Sequence, residues 1–482
     1  MSEQQVFDLS AQQAKGMPVS YGEVVRNDTS KAKNYMDLHP SEFMLETYEC
    51  GEHYRNGTFL SPHTRESAYQ TRIRQVYYEN YLKPIADALI LPVYSQPIKR
   101  ETDDAQMIEI LKDVTKTGKS INEFCKQVSI ASCVMGTVFV CIDNESDIPE
   151  TVGDAIEAGA RPYAITRAAS TVYSCAVDKF KKIVSIMFIE GKETRKDKSG
   201  NKREVTICTR YTKNTIETVE VSTKYKEVVE NIIGIPIVHG LGKVPVICYN
   251  SFGVGSELVK MSELYSIAVM NWTVFNLSSE IRALERGQTF SVFCIQTEGA
   301  GAIKIGIDNA LIIPMSATMM PQFISPDAQQ LKQLVDNKAA LIDSIYRAAS
   351  QSGVVGVATA SSGVAKGWDF RALNEVLKSN SEKCEAFEKK LVDMMFLFLG
   401  TTNDYECEYS DDFSPTSVTD AVQMSINAHG AMLPPVLLNI IDKNAAAVLA
   451  KDQDELQELC DILDADLERD LATGRIDDEP TA

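Results

Sequence analysis

Histidine is scarce in this chain, and the chemistry that depends on it is scarce too. Only five histidines occur among 482 residues. His39, His53, His63, His239 and His429 form no ligand-like pair, so a His-built metal or acid–base site is not expected. There is no Gly-x-x-x-x-Gly-Lys-Ser/Thr loop to cradle phosphate and no Gly-x-Ser-x-Gly elbow to present a nucleophile. No apolar run approaches the ~18 residues of a membrane span, and no signal peptide opens the sequence, so neither a membrane segment nor secretion is expected. Positive charge is also short: 48 Lys and Arg face 67 Asp and Glu, a formal net charge of −19. That argues against a broad basic face gripping nucleic acid, though not against a protein that handles DNA without adhering to it. Eleven cysteines are scattered with no CxxC pair. Cys133, Cys141, Cys208 and Cys248 sit in strand-like apolar runs, the pattern of buried free thiols in a reducing compartment.

Other chemical signals read as ordinary structure. Asp103-Asp104 and Asp411-Asp412 lie in polar, turn-like surroundings as solvated acids. Gly253-Val-Gly255-Ser256 leads into a predicted helix but lacks a third glycine, so it reads as a strand-to-helix turn rather than an anion seat. Tyr77, Tyr78 and Tyr81 could stack bases, but their helical spacing favours packing. The mixed charges from Lys192 to Arg203 read as a solvated hairpin tip. No constellation supports an enzyme, and no cofactor or metal is expected.

At this length the chain should divide into several structural regions. Its pattern is α+β and mainly helical. Residues 1–40 are polar and read as an arm. A helix is expected from Ser61-Pro62 to Leu89, kinked or restarted at Pro84, followed by an extended segment from Leu91 to Pro97. Helical patterns over 105–136 lead to a buried strand, Thr137-Val-Phe-Val-Cys-Ile142, and an antiparallel meander continues to Tyr249. A helix over 256–286, short strands and turns over 287–324 and a second helix over 326–350 place a small β module between two long helices. Tyr405-Glu-Cys-Glu-Tyr409 alternates as an exposed strand. From Pro415 to Leu471 the chain is helical, its last helix acidic outside, and its tail reads as disordered.

The most informative stretch runs from Ser325 to Gly400. Leu331, Leu334, Val335, Leu341, Ile342 and Ile345 make an apolar stripe on one helix. Residues 351–367 follow, with four glycines, no acid and the single base Lys366: too flexible for a helix throughout and too apolar for a solvated linker. From Trp368 the period returns through Phe370, Leu373, Leu377, Cys384, Phe387, Leu391, Met394 and Phe398. Read as heptads, these are successive a and d positions interrupted only by Asn380. Two rods with a mobile joint suit a structural or mechanical part, and a coiled-coil scaffold or oligomeric adaptor is one such reading.

The order of elements resembles the portal protein, the head-to-tail connector, of tailed double-stranded DNA bacteriophages. The matching pieces are the Ser61-Pro-His-Thr-Arg-Glu-Ser-Ala-Tyr69 opening and the Pro92–Pro97 segment. They continue with the helix-then-strand piece ending Val134-Met-Gly-Thr-Val-Phe-Val140 and the β block with Arg161-Pro-Tyr163 and Gly234-Ile-Pro236. The helix–β module–helix unit at 256–350 and the Ser361-Ser-Gly-Val-Ala365 loop before a long helix complete the set. Together they span roughly residues 60–420, and the order rather than any one motif carries the resemblance.

The resemblance implies a ring-forming chain, a dodecamer in that family, with a wing (41–255 and 368–415), stem helices (256–286 and 326–350) and a clip (287–324). It further implies a tunnel loop (351–367) and a small helical crown with an acidic tail (416–482). It implies a capsid vertex through which double-stranded DNA is packaged and ejected without sequence specificity. Assembly would take place in the host cytoplasm, with the major capsid protein, the large terminase and then a head–tail adaptor as partners. The DNA channel would carry Val354, Val355, Val357, Ser361, Ser362 and Lys366. Partner docking would fall to Phe290, Phe293, Lys304 and Asp308.

Overall fold

The computed structural model describes residues 5–8, 24–25, 32, 34–62, 69–144, 161–196, 202–224, 227–288, 292–296, 310–313, 322–324, 328–351, 363–411, 413, 418–431, 433–449 and 453–472. The main core lies where four helices meet a small sheet: α1 (Pro40–Glu49), α4 (Leu82–Ser95), α6 (Ile121–Met135) and α9 (Gly363–Leu399). Between them in chain order come α2 (Glu52–Arg55), α3 (Tyr69–Ile73), α5 (Ala105–Lys112), α7 (Tyr265–Gln288) and α8 (Ala328–Gln351). Ser120 caps α6, its Oγ accepting from Glu123 N at 3.3 Å. Gly136 ends it in left-handed geometry with φ 80°. Any Cβ there would fall 2.3 Å from Ser262 N, so only glycine fits.

The expected strand after Gly136 is β4 (Val138–Asp143), paired antiparallel on one side with β5 (Tyr163–Ala168) and on the other with β11 (Val246–Tyr249). Its apolar run is continuous because both faces are covered. Val138, Val140 and Ile142 enter the helical core, while Phe139 and Cys141 enter a second core against the meander. The meander is β6 (Val172–Val177), β7 (Ile183–Lys196), β8 (Lys202–Tyr211), β9 (Thr215–Lys224) and β10 (Glu227–Val238), each antiparallel to the next.

Several expectations are corrected. Residues 1–40 are not only an arm: β1 (Gln5–Asp8) pairs with β6 and β2 (Val24–Val25) with β5. The helix expected from 61 to 89 is divided, with α3 ending at Ile73 and α4 starting at Leu82. Pro84 then lies in the first turn of α4, where the N–H it lacks has no intrahelical partner. Leu91–Ser95 is helical rather than extended. Pro92 is tolerated because Leu89, Ile90, Val93 and Tyr94 keep the helical spacing and are buried. The strands β7 and β8 take in most of the charged 192–203 stretch, leaving a tip that lies outside the described residues. Residues 256–264 are not helical; they bend and form a short ladder of β12 (Gly253–Val254) with β13 (Met261–Ser262), so the helix expected from residue 256 begins at Tyr265.

The second half of the chain departs in two further ways. Tyr405–Tyr409 alternates but is not an exposed strand. β17 (Glu406–Glu408) pairs with β3 (Lys99–Glu101), and Tyr405, Cys407 and Tyr409 are buried. The long helix starts at Gly363, so the loop assigned to 351–367 ends in helix and Lys366 is a helical residue. Its heptad positions Leu377, Cys384, Phe387 and Leu391 are buried, but so are Val392, Met395 and Phe396. That face is wider than a coiled-coil seam, and it packs on α4, α6 and β11 of the same chain. Asn380 is buried as well, its Nδ2 donating to Leu89 O at 3.0 Å. Three helices, α10 (Val418–Gly430), α11 (Pro435–Leu449) and α12 (Gln453–Ala472), close the described chain.

Candidate functional site

The candidate site is built on a pair of helices, α7 and α8, each of 24 residues and packed on one another. At 1.5 Å per residue each is roughly 36 Å long. The roots are apolar: Leu264, Ile267, Ala268, Val274 and Phe275 on the α7 side and Ile345 and Ala349 at the end of α8 join the main core. The first half of α8 is not covered, and Lys332, Gln333, Val335, Asp336, Asn337, Ala339 and Ala340 are exposed.

Two asparagines lock α7 into the body. Asn271 is fully buried. Its Oδ1 accepts from Tyr81 N at 2.9 Å, Leu82 N at 3.2 Å and Tyr78 OH at 3.1 Å, while its Nδ2 donates to Glu79 O at 2.8 Å. A side chain from α7 thereby satisfies free N–H groups at the start of α4, which has no side-chain cap of its own. Asn276 accepts from Ser61 N at 2.8 Å and donates to Trp272 O at 3.0 Å, and Trp272 Nε1 donates to Phe59 O at 3.1 Å. From α8, Lys338 Nζ reaches Glu79 Oε1 at 2.8 Å. Burial pushes the Glu79 carboxyl up, but hydrogen bonds from Lys338 and Tyr81 outweigh it and hold it below its ordinary value. Tyr77 and Tyr78 separate here: Tyr78 packs against Tyr54 and Phe275, whereas Tyr77 is exposed beneath Arg282 and Lys338. Sequence reasoning missed both asparagines. The available signal was a polar residue at helical spacing inside an apolar stripe, Ile267-Asn271-Val274-Ser278.

Between α7 and α8 in the chain, β14 (Val292–Gln296) runs parallel to β15 (Ala310–Ile313) and antiparallel to β16 (Gln322–Ile324). The module expected between the helices is therefore a sheet with β14 in its centre. Phe293 lies on β14, in register with Ala310 and Phe323. Phe290, Lys304 and Asp308 lie outside the described residues, as do Val354, Val355, Val357, Ser361 and Ser362. Lys366 lies in the first turns of α9.

Charge is unevenly distributed. The α7 and α8 sequences together carry five bases and four acids, so the excess of acid lies elsewhere. Helix α12 alone has eight acids and one base. Among the described residues no His/Cys/Asp/Glu group could hold a metal ion, and no helix is long and apolar enough to cross a membrane. An apolar cavity of about 320 Å³ opens between His39, Met135, Phe139, Val172, Cys175 and Leu258. Burial pushes the Cys175 thiol up to about 11, leaving it protonated at neutral pH.

No family model matches the chain, and no curated protein matches it. Among solved structures it is similar to a chain from the neck of an empty GTA (gene transfer agent) particle computed with C6 symmetry. The TM-score is 0.37 at 14% identity, over 73% of this chain and 88% of that one. It is also similar to a chain from the neck of a native GTA particle computed with C12 symmetry, with a TM-score of 0.36 at 13% identity over 74% and 89%.

Proposed function

We propose that the chain is a portal-type protein: a ring-forming structural subunit at one capsid vertex, through which a double-stranded DNA genome passes. The observation that carries this reading is the stem unit. Two 24-residue helices, pinned to one core through Asn271 and Lys338, carry a small mixed sheet at their far end, and the chain then returns as a long core helix. A rigid stalk with a module at its tip suits a part that presents a docking surface away from its own body. In this reading the segment 287–324, with Phe290, Phe293, Lys304 and Asp308, receives the large terminase and then the head–tail adaptor. Residues 354–362 and Lys366 face the DNA, and the body meets the major capsid protein.

Charge supports the same reading. Duplex that must slide cannot be held by many Lys–phosphate contacts, because each releases counterions and adds affinity. A stem of nearly balanced charge in a chain of net −19 offers DNA little grip. No catalytic step is assigned to the chain. The alternative, a scaffold using the long helix as a coiled coil, is disfavoured because α9 spends its apolar face on its own chain's core.

Negative-stain imaging of the purified chain across salt and protein concentration tests the proposal. Rings with a central channel are expected. Their absence under every condition would sink it.

A further inference from the structure

The tip of the β6–β7 hairpin is a cationic turn on an acidic chain. Asp178-Lys-Phe-Lys-Lys182 joins Val177 to Ile183. Asp178 fixes the path of the turn. Its Oδ1 accepts from Phe180 N at 2.8 Å and from Lys182 N at 2.9 Å, and its own N–H donates to Lys182 O at 2.9 Å. Lys181 holds a left-handed backbone, φ 60°, and its Nζ donates to Ser256 O at 2.6 Å, which ties the turn to the segment between β12 and β13. The turn is therefore pre-organised, and a partner that meets it has little ordering left to do.

That fixed backbone presents Phe180 to solvent. Its side chain is 69% exposed, and Lys179 Nζ lies over the ring, 4.8 Å from its centroid. Lys179, Lys181 and Lys182 are exposed, as is Lys213 on the neighbouring β8–β9 turn. Among the described residues no carboxylate forms a salt bridge with any of the four. The one acid of the turn is Asp178. The Lys182 and Phe180 N–H groups, with the Lys182 and Lys213 charges beside them, hold its carboxyl below its ordinary value, so its oxygens are engaged inside the turn. An exposed aromatic ring flanked by unpaired ammonium groups combines an apolar anchor with a charged rim, as binding hot spots do. On a chain of net charge −19 this cationic turn runs against the overall balance.

We propose that the 178–182 turn docks a short acidic segment of a partner protein, with carboxylates on Lys179, Lys182 and Lys213 and an apolar side chain against Phe180. Charge complementarity selects the occupant. Nucleic acid fits the same charges less well. It is a long polyanion, and beyond this turn it meets a chain whose net charge is −19. The turn has no arginine to grip a phosphate with two parallel hydrogen bonds. Lys179 already lies over Phe180, and the turn offers no second aromatic on which a following base could stack. A short acidic segment needs neither feature, because lysines pair with carboxylates as mobile point charges. The proposal does not rest on the ring reading; it needs only the hairpin.

Fluorescence anisotropy with the full-length chain tests it. The probes are a short labelled peptide of glutamates around one phenylalanine, its glutamine counterpart, and single-stranded oligothymidylate. The glutamate peptide is expected to bind about tenfold or more tightly than the glutamine peptide, and less tightly as salt is added. The double variant Lys179→Glu, Lys182→Glu should weaken it about tenfold or more, and Phe180→Ser about threefold or more. Hydrogen exchange in β6 and β7 should stay unchanged in both variants, because the altered side chains are exposed. Equal binding of the two peptides, no binding of either, or wild-type affinity in either variant would overturn the site. Oligothymidylate held more tightly than the glutamate peptide, and released by the same variants, would overturn the protein partner in favour of nucleic acid.

Discussion

Arg100 and Glu388, far apart in sequence, close a two-pronged ion pair in the core. Nε lies 2.7 Å from Oε1 and Nη2 lies 3.0 Å from Oε2. The Glu388 side chain is fully buried. Tyr405 OH donates to Oε1 and Tyr409 OH to Oε2 at 2.5 Å, so the carboxylate accepts from four donors and joins the long helix to both strands of the β3–β17 ladder.

Burial alone pushes the Glu388 carboxyl up, but the Arg100 pair and the two tyrosine hydroxyls outweigh it and hold it below its ordinary value. Its contribution is therefore present above the ordinary carboxylate range and lost as pH falls through the lowered value. Removing one partner leaves a buried charge uncompensated. Glu388→Gln or Arg100→Met is expected to cost about 3–5 kcal/mol, and the double variant Arg100→Met, Glu388→Leu less than either single. Denaturant unfolding of the three variants checks this, and a double variant as unstable as the sum of the singles would contradict it.

Asp143 titrates the other way. Burial is the largest influence and pushes its carboxyl from 3.8 up to about 6, against the Asn144 backbone N–H and the nearby Arg167 charge. Folding therefore favours its protonated form. That stability is full below about pH 3.8 and is lost as pH rises through about 6, a difference of about 3 kcal/mol at most. Asp143→Asn should raise the melting temperature at pH 8 and leave it nearly unchanged at pH 4. An equal shift at both pH values would show that the carboxyl titrates normally.

Asn271→Leu removes the side-chain acceptor of Tyr81 N and Leu82 N at the root of α7. Unsatisfied buried groups cost about 1–3 kcal/mol each, so a loss of about 3 kcal/mol is expected. The loss should appear as faster hydrogen exchange in α7 and at the start of α4. A variant that melts like wild type would mean that α7 is held by apolar packing alone.

Gly136→Ala is expected to fail more severely than its size suggests. It combines a left-handed backbone, about 1–2 kcal/mol against an L side chain, with the overlap on Ser262 N. Poor soluble yield or a strongly lowered melting temperature is the expected readout. A wild-type melt would disprove the close approach of β13 to the end of α6.

Two predictions concern the proposed ring. Deleting residues 354–360 should leave assembly intact, judged by particle size, and block DNA packaging or retention in particles. Loss of assembly would make the segment part of the core instead. Reversing charge at Lys304 and Asp308 should weaken binding of terminase or adaptor to assembled rings, and unchanged binding of both would reject the segment 287–324 as the docking surface.

The sequence by itself determined the order and kind of most elements. Apolar periodicity of three to four marked α7, α8 and α9, a continuous apolar run marked β4, and the small β module stood out between two helical patterns. These signals are local, and a local period reports which residues share a face. What covers that face is a matter of long-range packing, and only the tertiary structure decided it. The heptad-like stripe of α9 could have met another chain, yet it packs on α4, α6 and β11. Asn271 could have been an exposed break in a helix, yet it caps α4 from across the fold. Tyr405–Tyr409 alternated as any edge strand might, and Glu388 drew its tyrosines inward. The Leu91–Pro97 and 256–264 segments depart from their local pattern because proline and glycine report backbone options rather than choices. At those points burial of Val93 and Tyr94, and the approach of Ser262 to Gly136, decided between options the local sequence left open.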